Sequence, residues 1–212
     1  MSKKVGKVFV DVGTSLDGYL AGPDRGPKKP LGEGGPSIHA WMFQQARFRK
    51  ALKLAGNGGE TGVDNEVVCA MFDRIGANVM GKRMFDEGEV SWPEDAPFHT
   101  PVFVLTKEKR TPWTRPGGTT FYFVNDGLAN AIARAREAAG SKDVRISGGA
   151  EVIRQALEAG YVEELGLHVA PVLLGDGLRL FDGVAKDRFT LEIMGTLASP
   201  RVMHLRYAVK PR

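Results

Sequence analysis

The chain has 212 residues, 42% of them hydrophobic and 25% charged, with a formal net charge of +4. That length supports one domain with a full core and an insertion, and the composition excludes a chain disordered throughout. The charge is scattered, without a basic run interleaved with aromatics, so no nucleic-acid partner is expected.

No apolar run approaches the ~20 residues that a membrane span needs. A single cysteine, Cys69, excludes an intramolecular disulfide and any zinc site built from several cysteines, and no metal is expected. Cys69 sits in an apolar helical stretch and reads as a small core residue. With no apolar targeting segment after Met1-Ser2-Lys3-Lys4, the expected compartment is the cytoplasm.

Val8-Phe9-Val10-Asp11-Val12 opens the chain as a mostly apolar strand and leads into the turn-bearing stretch Thr14–Ala21. From Gly22 to Gly35 the composition shifts to Gly, Pro and Lys, which predicts a surface loop. Trp41, Phe48 and Leu52 recur at near-helical spacing, and Gly56 suits the end of that helix. A second break, Gly56-Asn57-Gly58-Gly59, precedes Asp64, a candidate N-cap for a helix with the stripe Val67, Val68, Met71, Phe72 and Ile75. Residues 22–63 therefore read as an insertion, expected to cover the substrate side of a cleft as a lid.

Short buried strands follow at 77–80, 101–105 and 121–124. A helix through Leu128, Ile132 and Ala135 is expected to be capped by Asn125 or Asp126, and another strand spans 144–147. Gly148-Gly149 then opens a helix through Val152, Ile153, Ala156 and Leu157, which Gly160 stops. Leu165, Leu167 and Val169 alternate with smaller or polar residues, as on a half-buried strand. Phe189–Ile193 and Met203–Val209 alternate around a turn at Ala198-Ser199-Pro200, which predicts an antiparallel hairpin. The expected fold is α/β: one domain, 1–212, with a mostly parallel central sheet, flanking helices and a C-terminal antiparallel hairpin.

Three segments at the carboxyl ends of predicted strands combine features that suit a phosphate-bearing ligand. In Gly81-Lys82-Arg83 the glycine admits close approach while the two cations supply charge; a tight turn with solvated cations explains the same residues. In Ser147-Gly148-Gly149-Ala150 the glycines free backbone amides at a helix N-terminus, although a loop needing positive φ would use them too. Thr106-Lys107, near Lys109 and Arg110, offers a cation to the phosphate that distinguishes NADP from NAD. The glycine spacing is not a G-x-G-x-x-G fingerprint, so a Rossmann domain is not supported.

The segment Ser15–Ala21, with Val79–Phe85, Ser147–Leu157 and Pro171–Gly177, resembles the dihydrofolate reductase-like superfamily, in particular the reductase domain of riboflavin biosynthesis. The resemblance covers most of the chain outside 22–63. It implies hydride transfer from NADPH to a small cyclic substrate that is pteridine-, pyrimidine- or flavin-precursor-like. It further implies that Gly81, Lys82 and Arg83 hold cofactor phosphates, that Ser147, Gly148, Gly149 and Ala150 face the pyrophosphate, and that Thr106 and Lys107 meet the adenosine ribose and its phosphate. Val12, Gly13, Leu16, Asp17 and Gly18 would lie by the nicotinamide, and a homodimer is the implied assembly. The family's substrate-binding carboxylate is absent from the matching stretch His39–Gln45, and Met84 replaces its usual threonine.

Asp17 and His39 are the candidate proton donors, and Trp41, with Gly18, the candidate substrate contact. Asp17 also reads as an Asp-Gly turn residue, and Trp41 as helix packing. His168 and His204 are expected to face solvent or the sheet edge. Two other readings fit the same residues. One is a 5-amino-6-(5-phosphoribosylamino)uracil reductase, with Lys28-Lys29 folding inward as the phosphate anchor. The other is an NADP-binding module without turnover.

Overall fold

Alternating apolar runs and glycine breaks resolve, in the computed structural model, into a nine-stranded sheet with helices on both faces. The structure describes residues 6–56, 58–185 and 187–212; Met1–Lys4 and Asn57, used in the sequence reading, lie outside them.

The strands are β1 (Val8–Ser15), β2 (Tyr19–Ala21), β3 (Ile75–Gly81), β4 (Pro101–Leu105), β5 (Trp113–Thr114), β6 (Thr120–Val124), β7 (Asp143–Gly148), β8 (Glu164–Ala170), β9 (Leu178–Arg179), β10 (Phe189–Ala198) and β11 (Met203–Pro211). The large sheet runs β10-β11-β8-β1-β7-β3-β4-β6-β5, while β2 and β9 form a separate two-stranded ribbon. From β8 through β6 every pairing is parallel; β11 on β8, β10 on β11 and β5 on β6 are antiparallel. The expected mostly parallel sheet with a C-terminal hairpin is the observed architecture.

The parallel strands are apolar because both faces are covered. On one face α5 (Leu128–Ala139) and α6 (Ala150–Glu158) set Ile132, Ala135, Ile153 and Leu157 against Val10, Val79 and Ile146. Each fully buried Ile or Leu there contributes about 1.5–3 kcal/mol. On the other face α3 (Val63–Arg74) packs Met71 and Phe72 on Phe9. Beside it α4 (Lys82–Glu89) buries Phe85 among Met80, Val102, Val104 and Phe121.

Residues 22–63 cover this second face as short pieces. The expected single helix is broken into α1 (Ala40–Phe43) and α2 (Ala46–Ala51), because Gln45 is extended and its buried amide donates to the Trp41 carbonyl over 2.7 Å. Gly56 lies five residues beyond α2 rather than at its end. The expected caps also move: Gly62 precedes α3 and Gly127 precedes α5, in place of Asp64 and of Asn125 or Asp126. Cys69 is half-buried on α3. Among the described residues no helix is long and apolar enough to cross a membrane.

Candidate active site

The parallel registry brings three strand ends together, with Met80 of β3 opposite Gly148 of β7 and Gly81 opposite Leu105 of β4. Gly148 has φ of 139°, and a Cβ there would stand 2.9 Å from the Met84 sulfur, so only glycine suits this position. The Gly148-Gly149 peptide is cis. Gly149 is the N-cap of α6, no side chain caps that helix, and a Cβ on Gly149 would meet nothing within 4 Å. Open space therefore fronts the free amides of α6, a donor set that fits an anionic diphosphate.

On the same rim Thr106 is buried and Lys107 exposed. Lys82 donates to both Asp86 oxygens at 2.6 and 2.8 Å, and that carboxylate holds its ammonium above the ordinary lysine range. Arg83 turns along its own helix to Glu87 at 3.3 Å. These two cations, read from the sequence as phosphate ligands, are thus already answered by carboxylates of α4.

Beside this cradle a cavity of about 540 Å³ opens between the sheet, α4 and residues 22–63. Its polar end is built on the central strands by Asp11 of β1, Arg145 and Ser147 of β7, and His168 of β8, with His39 closing over them. Its body is apolar, lined by Met42, Phe43, Phe48, Met71 and Trp92 among others. Gly13 makes room for His39, since a Cβ on it would come 2.9 Å from the imidazole Cε1. Burial, followed by the charges of His168 and Arg145, lowers the His39 pKa to about 4. At neutral pH this ring is therefore uncharged.

Arg145 donates to the Asp11 carbonyl over 2.8 Å, while its Nε is buried without a partner. Burial lowers its pKa and the Asp11 carboxylate opposes that shift. Asp11 itself would be raised by burial, but the His168 charge and hydrogen bond, then Arg145 and Arg74, leave it below the usual aspartate value.

Behind the polar end runs a buried chain of four side chains. Asp11 accepts from Nε2 of His168, His168 and His204 meet through their Nδ1 atoms at 2.6 Å, and His204 Nε2 lies 3.0 Å from Asp64 Oδ1. Ser199, in the β10–β11 turn, donates to the other Asp64 oxygen at 3.0 Å. Trp41 packs on both imidazoles, its ring centroid 5.0 Å from each. The two carboxylates and the contact between the Nδ1 atoms hold both imidazoles in place, and burial lowers the His204 pKa while Asp64 opposes that shift. His168 and His204 face neither solvent nor a sheet edge, as the sequence reading expected, because α3 and the Trp41 segment cover this face.

This arrangement sits on a chain that matches the RibD C-terminal domain model over residues 6–205. The chain belongs to the RibD C-terminal domain family. The protein YyaP of Bacillus subtilis is 35% identical over 74 residues, a match covering 35% of this chain and only 38% of YyaP. A Shewanella sp. PV-4 protein assigned to riboflavin biosynthesis superposes with a TM-score of 0.65 at 23% identity, over 96% of this chain and 99% of that one. Enterococcus faecalis dihydrofolate reductase, solved with NADP(H) and RAB-propyl, superposes with a TM-score of 0.52 at 11% identity over 99% of both chains. The fold of this RibD C-terminal domain protein is dihydrofolate reductase-like.

Within that fold Val12, Gly13, His39, Trp41, Ser147, Gly148, Gly149 and Ala150 line the cavity. Gly81, Lys82, Arg83, Thr106 and Lys107 stand on the adjoining rim. Leu16, Asp17 and Gly18 form the β1–β2 turn instead, with Leu16 65% exposed. The Asp17 carboxylate accepts from the Gly175 amide at 2.7 Å and the Leu174 amide at 3.2 Å. Hydrogen bonding from Ser15, ahead of those amides, lowers its pKa to about 2. The sequence reading missed Asp11, Arg145, His168, His204 and Asp64. The available signal was charge inside otherwise apolar central strands, Val10-Asp11-Val12 and Val144-Arg145-Ile146.

Proposed function

We propose that the protein is an NADPH-dependent reductase of a small cyclic substrate bound in the cavity beside the Gly148-Gly149 cradle. The observation that carries this reading is the contact between two complementary halves. A glycine cradle with free helix amides and Lys107 adjoins a cavity whose polar end holds a half-buried guanidinium and an uncharged imidazole.

Gly81, Ser147, Gly148, Gly149 and Ala150 would hold the diphosphate, with Lys107 and Thr106 at the adenosine end and Val12 with Gly13 beside the nicotinamide. Lys82 and Arg83 join them only by leaving Asp86 and Glu87. When bound, the reduced nicotinamide supplies a hydride to an electrophilic carbon of the substrate. Arg145 faces the heteroatom on which negative charge then develops, in a site that residues 22–63 shield from water, where such a preorganised donor is most effective. His39 gives that atom its proton: an uncharged imidazole is a competent donor to an oxyanion. The Asp11 backbone carbonyl accepts from the guanidinium and keeps it in place, while the Asp11 carboxylate is held by His168.

The test is NADPH oxidation against a panel of cyclic carbonyl and imine compounds. A turned-over substrate should lose ~10²–10⁴-fold in kcat in His39→Asn, with NADPH affinity unchanged. No oxidation across the panel would favour a module that binds NADP without turnover.

A further inference from the structure

The lining of the cavity divides by element. The central strands supply its polar groups, Asp11, Arg145, Ser147 and His168, and His39 joins them. Phe43, Phe48, Leu52 and Leu54 of the insertion, with Val67 and Met71 of α3, line another part of it without a charge among them. Arg25 and Glu87 also border the cavity, but they are closed on each other at 2.6 Å and nearly buried. Lys28 and Lys29, which one reading of the sequence folds inward as a phosphate anchor, are exposed outside the lining, where backbone bonds between Gly26 and Lys29 turn the chain.

The apolar residues form a continuous path from the polar end to the surface. Trp41 packs with its ring centroid 5.0 Å from that of His168, Met42 and Phe48 pack on the cluster of Trp41 and Val68, and Phe43 meets Phe48 edge-on at 5.3 Å. At the outer end of this path Phe43 and Leu54 are 37% and 43% exposed. Large apolar side chains that line a cavity and still meet water are the surface that the apolar part of a ligand covers.

We propose that the substrate is amphipathic: a cyclic carbonyl head beside Arg145 and His39, carrying an aliphatic or aryl arm that lies along Phe48 and Leu52 and ends at the lip of Phe43 and Leu54. This rests on the cavity being the substrate site of the proposed reductase and names the class of substrate it selects. The oxygen of the head, neutral or ionised, suits the Arg145 cation, so the arm rather than the charge of the head is what discriminates. A small polar ring at the strand end of the cavity would leave the apolar path wet. A charged arm would lose its hydration along that path, where Arg25 is already held by Glu87.

The experiment follows the backbone amide shifts of the nitrogen-15-labelled protein, without cofactor, on titration with 4-methyl-, 4-propyl- and 4-pentylcyclohexanone and with 3-(4-oxocyclohexyl)propanoate. Affinity should rise about fourfold for each methylene, which is the ~0.8 kcal/mol of a buried CH₂ converted at about 1.4 kcal/mol per tenfold. The shifts should spread over residues 42–54 and α3 as the arm lengthens. The propanoate, whose arm ends in a carboxylate, should bind at least about tenfold more weakly than the 4-propyl ketone. Leu54→Glu, at an exposed position, should flatten the rise from propyl to pentyl, and Phe43→Gln gives the same reading if that variant does not fold. No binding of the pentyl ketone, equal affinities along the series, or a propanoate that binds as tightly as the propyl ketone would overturn the proposal. So would a rise that both variants leave intact, or shifts confined to surfaces away from residues 42–54, since either would mean adsorption elsewhere. Failure of NADPH binding or oxidation would instead remove the reductase reading, and neither enters this titration.

Discussion

His39 gives the site its most direct pH signature. An unfolded histidine titrates near 6.5, whereas burial holds this one at about 4. Its folded pKa is depressed, so between those values the unfolded chain takes up a proton that the folded chain refuses. Stability is therefore unaffected by this group above pH ~6.5 and falls by about 1.4 kcal/mol for each pH unit below it. At pH 4 the accumulated loss is about 3 kcal/mol, which for a chain of this size is roughly 6–12 °C in Tm. His39→Asn removes the titrating group. Calorimetric melting of both proteins at pH 7.5 and pH 4 isolates the effect, because every other acid-labile group is common to the two. The wild type should lose about 3 kcal/mol more than the variant between these pH values. Parallel losses would mean that His39 is solvated and titrates normally, and its role as an uncharged donor would fall.

Asp17→Asn should leave turnover intact, since the carboxylate is spent on the Leu174 and Gly175 amides, and should lower Tm through that loop contact; a turnover loss of orders of magnitude would return Asp17 to the chemistry. Arg25→Ala should cost about 1.5–3 kcal/mol, read by denaturant unfolding, because it leaves the buried Glu87 with only the longer Arg83 contact at 3.3 Å, and NADPH affinity should be unchanged. Breaking this contact should also loosen the 22–34 segment, seen as faster amide exchange there; unchanged exchange would show that other contacts hold it. The 2.6 Å contact between the Nδ1 atoms of His168 and His204 predicts one strongly deshielded ring proton coupled to both imidazoles in nitrogen-edited NMR. It should vanish in His204→Gln, and its absence from the wild type would contradict the chain as described.

The sheet was legible because buried parallel strands must be apolar runs, and the runs 75–81 and 143–148 each end in a glycine of the cradle. The cradle was legible for the same reason: Gly148-Gly149 before a helix is a local pattern. The catalytic end was not. Asp11, Arg145, His168 and His204 come from four strands, and what joins them is cross-strand register, with His204 opposite His168 and His168 opposite Gly13. Alternation on β8 and β11 also misled, because β8 is covered on both faces, so its polar phase is buried as well. Met203 is 46% exposed while the neighbouring His204 is buried, the reverse of the phase read from the sequence. Gln45 broke an expected helix through a side-chain bond to Trp41 that no spacing rule reports.

NADPH binding in the glycine cradle is tested directly by a pair of melting curves. NADPH at ~100 times its dissociation constant should stabilise the protein by roughly 2.7 kcal/mol, or about 5–11 °C. NADH at the same concentration should do markedly less, since Lys107 would have no phosphate to meet. Equal shifts from the two cofactors, or no shift from either, would contradict the account.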